Sequence, residues 1–275
     1  MRRLIIALTD GLRPDAITPT LMPSLHALGE AYTLALRAST VRPSATVAAL
    51  ASLATGVSPD VHKLIEPGLD FLPGLPRLKP IARELGRAGV PTHVVTAHLS
   101  LAVQPVARAL AAAAGVRRLV SSGHSAKSTA LDAVRLLDGD ASQVLFVYLP
   151  HCDRAGHATG WMSDDYLAAA ADVDAGIGLL STRIADCLLI VVADHGGGGV
   201  LPNEHDQPHP INDHIPLILA GPEVTKRHRL TRAISILDVP ATVLWWFGLP
   251  LPQGYQGRPL VEAFATAPLP AAVAG

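Results

Sequence analysis

Leu188-Leu189-Ile190-Val191-Val192-Ala193-Asp194-His195-Gly196-Gly197-Gly198-Gly199 is the stretch that decides how this chain folds. Residues 188–193 are apolar without a break, and such a run reads as a strand buried on both faces, the kind a parallel sheet uses. Four more runs read the same way: residues 4–8, 93–97, 144–149 and 215–220. Ala- and Leu-rich stretches at 46–54, 80–88, 125–137, 164–185 and 236–247 read as helices between or beside them. Strands alternating with helices predict an α/β fold with a mostly parallel sheet covered on both faces. Three strand ends carry acids: Asp10 after the first run, Asp153 after the third, and Asp194-His195 after the run quoted above. Open α/β sheets bind ligands beyond the carboxyl ends of their strands, so these acids are the first candidates for chemistry.

Composition narrows the function classes. The chain has 275 residues, suited to one large or two small domains, and 49% of them are hydrophobic, which excludes a disordered chain. With 22 basic against 23 acidic residues there is no basic field to hold a nucleic-acid polymer or anionic lipid. Cys152 and Cys187 form no C-x-x-C, and Cys187 reads as a reduced core residue. The apolar stretch 4–8 is too short for a signal-peptide core, and no run reaches membrane-spanning length. The expected localisation is cytoplasmic. Residues 67–80, dense in Pro and Gly, read as a surface loop, and the Ala/Pro-rich residues 265–275 as a frayed tail.

The candidate site residues each have a plain reading beside a chemical one. Asp194 and His195 leave a strand together and meet four glycines; the pair suits zinc, and the plain reading is a flexible loop with a surface His. Asp153-Arg154-Ala155-Gly156-His157 places an acid and an imidazole four apart across what reads as a Gly turn. Asp10-Gly11 is a ligand or an ordinary turn. Thr46, after Pro43-Ser44-Ala45, starts a helix that ends near Gly56; it is either a cap or a hydroxyl held where free N–H groups attract an anion. His205, His209 and His214 lie in a polar stretch before the run 215–220, and one of them is placed to complete a second ligand set.

In this order the segments resemble the alkaline phosphatase superfamily, and look closest to its type I phosphodiesterase/nucleotide pyrophosphatase branch. The matching set is Asp10-Gly11; Pro43-x-x-Thr46 with Thr55-Gly56; Asp153-x-x-x-His157; Asp194-His195-Gly196; a His before residues 215–222; then Leu237-Asp238-Val239-Pro240 and Gly257-Arg258-Pro259. The resemblance implies a three-layer sandwich over 1–264, one catalytic domain without a large cap. It implies two Zn2+ ions about 4 Å apart, with Mn2+ the alternative. Carried over, Asp10, Asp194, His195 and Thr46 hold one ion, and Asp153, His157 and His205 the other. His209 and then His214 are the alternatives to His205. The resemblance implies that Thr46 attacks phosphorus, that a phospho-threonine forms, and that water then cleaves it. The partner is a small phosphate ester, of phosphodiester or nucleotide pyrophosphate type; the oligomeric state is left open.

Relatives often carry an Asn three residues after the nucleophile, and here that place is Ala49, so the backbone N–H of Val47 replaces that donor or it is lost. Arg13, Arg42, Lys63 and Arg154 are further candidates for phosphoryl contacts, and His62 reads as structural support. A phosphomonoesterase, a phosphonate hydrolase and a non-catalytic metal-binding member are the alternative readings. A sulfatase is disfavoured because Thr46-Val47-Ala48-Ala49-Leu50 lacks its Cys/Ser-x-Pro/Ala-x-Arg setting. A cofactor-independent phosphoglycerate mutase is disfavoured because the chain leaves no room for its inserted domain.

Overall fold

The computed structural model describes residues 1–65, 77–137 and 141–267. Most of the predicted loop at 67–80 and of the tail at 265–275 therefore lies outside the described residues. Strands β1 (Arg3–Thr9), β2 (Thr33–Ser39), β3 (Thr92–Thr96), β4 (Arg118–Ser121), β5 (Gln143–Leu149), β6 (Leu188–Val192), β7 (His214–Ala220) and β8 (His228–Arg229) form one sheet, ordered β4-β3-β5-β1-β6-β7-β2-β8. β1 runs parallel to β5 and β6, with Leu8 opposite Tyr148 and Val192. β3 is parallel to both β4 and β5. β7 is antiparallel to β6 and β2, so the sheet is mixed but mostly parallel. β1, β6 and β7 are buried almost throughout, as unbroken apolar runs require when both faces are covered.

The helices are α1 (Pro23–Ala31), α2 (Thr46–Thr55), α3 (Pro59–His62), α4 (Ile81–Arg87), α5 (Gln104–Ala113), α6 (Ala126–Leu136), α7 (His151–Thr159), α8 (Asp164–Ser181), α9 (Pro210–Asp213) and α10 (Asp238–Trp246). α1, α6 and α7 pack around α8, while α2 packs with α3, α4 and α10 as a separate layer. The result is the expected three-layer α/β sandwich. Ser125 and Ser163 cap α6 and α8 by accepting backbone N–H groups, and Gly56 ends α2 in the left-handed region at φ 70°.

The structure corrects the sequence reading in several places. The helix expected over 164–185 stops at Ser181, where the Thr182 hydroxyl bonds back to the Leu179 carbonyl at 2.7 Å. β2, β4, α1 and α5 were not predicted. Among the described residues no helix is long and apolar enough to cross a membrane.

Candidate metal centre at the strand ends

Backbone geometry brings three strand ends to one point. The Asp10 N–H bonds the Leu149 carbonyl at 3.1 Å, and the Asp153 N–H bonds the Asp10 carbonyl at 3.0 Å, tying β1 to the start of α7. Gly11 between them has φ 69°, and a Cβ there would lie 2.8 Å from Asp153 Cα; only glycine permits this approach. Asp194 accepts the N–H groups of Gly11 at 3.1 Å and His195 at 3.0 Å, which ties in β6. Asp153 and His157 do not span a turn, as the sequence suggested. They lie one turn apart within α7, with His157 Nε2 3.3 Å from Asp153 Oδ1. Gly156 lies within the helix, and Trp161 packs where a side chain there would be.

Three imidazoles face the carboxylates in the same tautomer. His195 Nδ1 donates to the Gly196 carbonyl at 2.8 Å, His205 Nδ1 to the Ser44 carbonyl at 2.7 Å, and His157 Nδ1 to the Asn203 carbonyl at 2.9 Å. A carbonyl only accepts, so each ring spends its proton outward and turns its Nε2 lone pair inward. His195 Nε2 is 3.3 Å from Asp10 Oδ1, 3.5 Å from Asp194 Oδ2 and 3.9 Å from Asp153 Oδ1. His205 Nε2 is 3.7 Å from Asp153 Oδ1 and 3.1 Å from His157 Nε2. Those carboxylate atoms, Asp10 Oδ1, Asp153 Oδ1 and Asp194 Oδ2, are buried and have no hydrogen-bond partner. Unpartnered carboxylate oxygens facing imidazole lone pairs are satisfied by shared protons or by a cation, and acids with neutral imidazoles are a donor set that fits divalent metal. Two triads bring their ligand atoms within 4.8 Å of one another: Asp10, Asp194 and His195, and Asp153, His195 and His205. His157 closes on the second triad from a more exposed position, its side chain 47% accessible.

Electrostatics agree with that donor set. Burial, reinforced by Asp153 nearby, raises the Asp194 carboxyl to about 7. Burial and then the charge of Asp194 raise Asp10 well above the usual carboxylate range, and burial also raises Asp153. Burial, with the neighbouring His195, lowers His205 to about 3, which keeps its imidazole neutral.

The structure brings some of the candidates to this cluster and not others. Thr46 is the first residue of α2, and its hydroxyl donates to His195 Nε2 at 3.1 Å. The plain reading of Thr46 as a cap does not hold: Ala45 is the N-cap, with no side-chain cap bond. The first helical bond donated in α2 comes from Ala49 N, leaving the N–H groups of Thr46, Val47 and Ala48 ahead of it. Ala49 itself is wholly buried. His209 caps α9, and His214 heads β7 opposite Ser39; neither belongs to the cluster. Arg13 is held by Asp15 and the Gly197 carbonyl, and Arg42 by Asp213. Lys63 and Arg154 make no ion pair among the described residues, and Arg154 is exposed beside Asp153 on α7. His62 is buried and accepts the Leu64 N–H, so its Nε2–H donates to Ser52 Oγ at 3.0 Å and braces α2.

Sequence reasoning missed three supports. The Tyr148 hydroxyl donates to Asp10 Oδ2. The Ser44 hydroxyl donates to the His205 carbonyl at 2.6 Å while His205 Nδ1 bonds the Ser44 carbonyl, clamping the Thr46 turn to the His205 loop. Trp161 Nε1 and the Tyr166 hydroxyl both donate to the Gly11 carbonyl, at 2.9 and 3.0 Å.

This sheet order belongs to the alkaline-phosphatase-like class of α/β folds, as solved structures show. Murine ectonucleotide pyrophosphatase/phosphodiesterase 5, solved as an inactive Thr-to-Ala variant with AMP, superposes with a TM-score of 0.74 at 14% identity, covering 96% of this chain and 100% of that one. Phosphonate monoester hydrolase from Silicibacter pomeroyi gives 0.71 at 17% identity over 94% and 76%. An alkaline phosphatase superfamily protein from Vibrio parahaemolyticus gives 0.71 at 19% identity over 96% and 70%. Residues 4–69 and 79–236 match the type I phosphodiesterase / nucleotide pyrophosphatase family, and the chain belongs to that family. Curated relatives are similar over shorter stretches. Arylsulfatase K of Canis lupus familiaris is 33% identical over 107 residues, 35% of this chain and 19% of that protein. The 2,3-bisphosphoglycerate-independent phosphoglycerate mutase of Cereibacter sphaeroides is 33% identical over 130 residues, 46% and 25% respectively. This chain thus spans a fifth to a quarter of these curated relatives.

Proposed function

We propose that this chain is a metal-dependent hydrolase of phosphate esters, of the phosphodiester or nucleotide pyrophosphate type, acting through a phospho-threonine on Thr46. One observation carries the reading: the Thr46 hydroxyl lies within hydrogen-bond reach of His195, inside a cluster where one oxygen each of Asp10, Asp153 and Asp194 is buried without a hydrogen-bond partner. Asp10, Asp194 and His195 would hold one ion, and Asp153, His157 and His205 the other, with zinc favoured by the imidazoles and manganese the alternative. Such ions, when bound, supply Lewis acidity to the phosphoryl oxygens and lower the pKa of the Thr46 hydroxyl.

The chain's own residues do the rest. The N–H groups at the start of α2, Val47 among them, face an anion with the positive end of the helix. They stand in for the donor that Ala49 cannot supply, and the exposed Arg154 adds a cation beside Asp153. Thr46 Oγ1 attacks phosphorus as the bond to the leaving oxygen breaks. Water then cleaves the phospho-threonine and returns the hydroxyl. The Ser44–His205 clamp keeps the attacking turn in register with the ligands, which is positioning in the catalytic sense.

Thr46→Ala is the test, with bis-p-nitrophenyl phosphate as substrate. Turnover is expected to fall by at least about 1,000-fold, while the metal content by elemental analysis stays as in the wild type. Activity within a few-fold of wild type would move the nucleophile elsewhere, with Ser44 next in line. Loss of activity together with metal would make Thr46 a ligand whose chemical role is untested by that variant; Thr46→Ser, expected to keep metal and partial turnover, then decides the matter.

A further inference from the structure

A second group of imidazoles stands apart from the centre. His98 follows β3, His124 follows β4 and His151 opens α7, so the three lie at the carboxyl ends of adjacent strands β4, β3 and β5. With neighbouring strands about 4.8 Å apart, this group extends sideways from the end of β5, away from β1 and β6.

The rings of His98 and His124 touch, with centroids 4.3 Å apart and planes tilted by 31°. Both residues are exposed. Their backbones are pinned: the His98 N–H bonds the Gly123 carbonyl at 3.0 Å, and the partly buried His151 ring donates from Nε2 to the His124 carbonyl at 2.9 Å. The ring nitrogens of His98 and His124, unlike those of the strand-end centre, have no hydrogen-bond or ion-pair partner among the described residues. Two carboxylates are bonded to the flanking segments. Asp172 Oδ2 is 3.9 Å from His151 Nε2, and Asp132 accepts the Ser122 hydroxyl at 2.6 Å, two residues ahead of His124.

We propose that His98 and His124 form a separate site for a divalent transition-metal ion such as Zn2+, Ni2+ or Cu2+. Neutral imidazole nitrogen is the ligand these ions prefer, and two rings on fixed backbones lose little freedom when one ion bridges them. The site is independent of whether Thr46 is a nucleophile, because none of its residues belongs to the strand-end centre.

The test compares the whole wild-type chain with the His98→Ala/His124→Ala double variant after equilibrium dialysis against excess Zn2+. The wild type is expected to retain one more equivalent of zinc. In parallel, a tenth of an equivalent of Cu2+ is added to the zinc-loaded wild type, and the imidazole ring protons are followed by NMR. The His98 and His124 signals are expected to broaden first. Equal zinc content in the two folded proteins, or broadening that spares those two rings, overturns the proposal. The NMR arm needs no variant, so it decides even where the double variant does not fold.

Discussion

The polar atoms of the strand-end cluster divide by what they are bonded to. Every imidazole Nδ1 is tied to a backbone carbonyl, and Asp10 has one oxygen tied and one free. The tie on Asp10 is Tyr148, whose hydroxyl burial holds far above its ordinary pKa, so it remains a donor across the working range. Fixing Oδ2 aims Oδ1 at the cluster, as outer hydrogen bonds do for metal ligands generally. Tyr148→Phe keeps the ring's packing and removes only that donor. Zinc affinity measured by calorimetry is expected to weaken by about 10- to 100-fold, while the metal-free protein loses no more than one buried hydrogen bond's worth of stability, about 1–3 kcal/mol. Wild-type affinity in the variant would show that Tyr148 positions nothing. The candidate ligands were legible in the sequence because acids and histidines at the ends of apolar runs stand out. Tyr148 was not, because a tyrosine inside the run 144–149 reads as core, and only its polar tip hints at a partner. Ser44 was hidden for another reason: its partner His205 lies 161 residues away.

Elements were legible in proportion to how much of them is buried. β1, β6 and β7 announce themselves as unbroken apolar runs. β2 does not, because a register shift between Ala35 and Ala38 breaks its alternation and leaves Leu36 and Arg37 exposed. α5 buries no residue at all, so no apolar stripe marks it against the core. α7 was misread because Gly156 suggested a turn, whereas the close pass of Trp161 demands a residue without a side chain. Gly11 is where one backbone position governs two elements. Gly11→Ala forces a methyl to within 2.8 Å of Asp153 Cα at φ 69°, so α7 must shift from β1 or the turn must change hand. Destabilisation of more than about 1 kcal/mol is expected by urea unfolding, accompanied by loss of bound metal. A variant that unfolds less readily than this but has lost its metal would still place the effect at the β1–α7 junction; one that keeps both stability and metal would refute the steric argument.

At the scale of the whole molecule, a chain of near-zero formal charge concentrates buried carboxylates at one end of its sheet. This arrangement is unfavourable without a cation, and the sign of the cost follows from the shifts. Asp194 titrates near 7 in the folded protein against an ordinary 3.8, and Asp10 and Asp153 are raised as well. Between those pH values the folded chain binds more protons than the unfolded chain, so stability falls as pH rises through the window. Bound cations take the place of the protons and add stability by mass action, about 4 kcal/mol at a thousandfold excess over Kd. Metal-free and zinc-loaded protein should therefore have similar melting temperatures near pH 4 and diverge steadily up to about pH 7, the metal-free form falling behind. Chelation with EDTA should abolish ester hydrolysis over the same range, and added zinc should restore both the activity and the melting temperature. Calorimetric scans across this pH series decide the matter: a gap that is constant or narrows with pH would mean that the carboxylates do not titrate as one cluster, and activity that survives exhaustive chelation would separate the hydrolysis from the metal centre altogether.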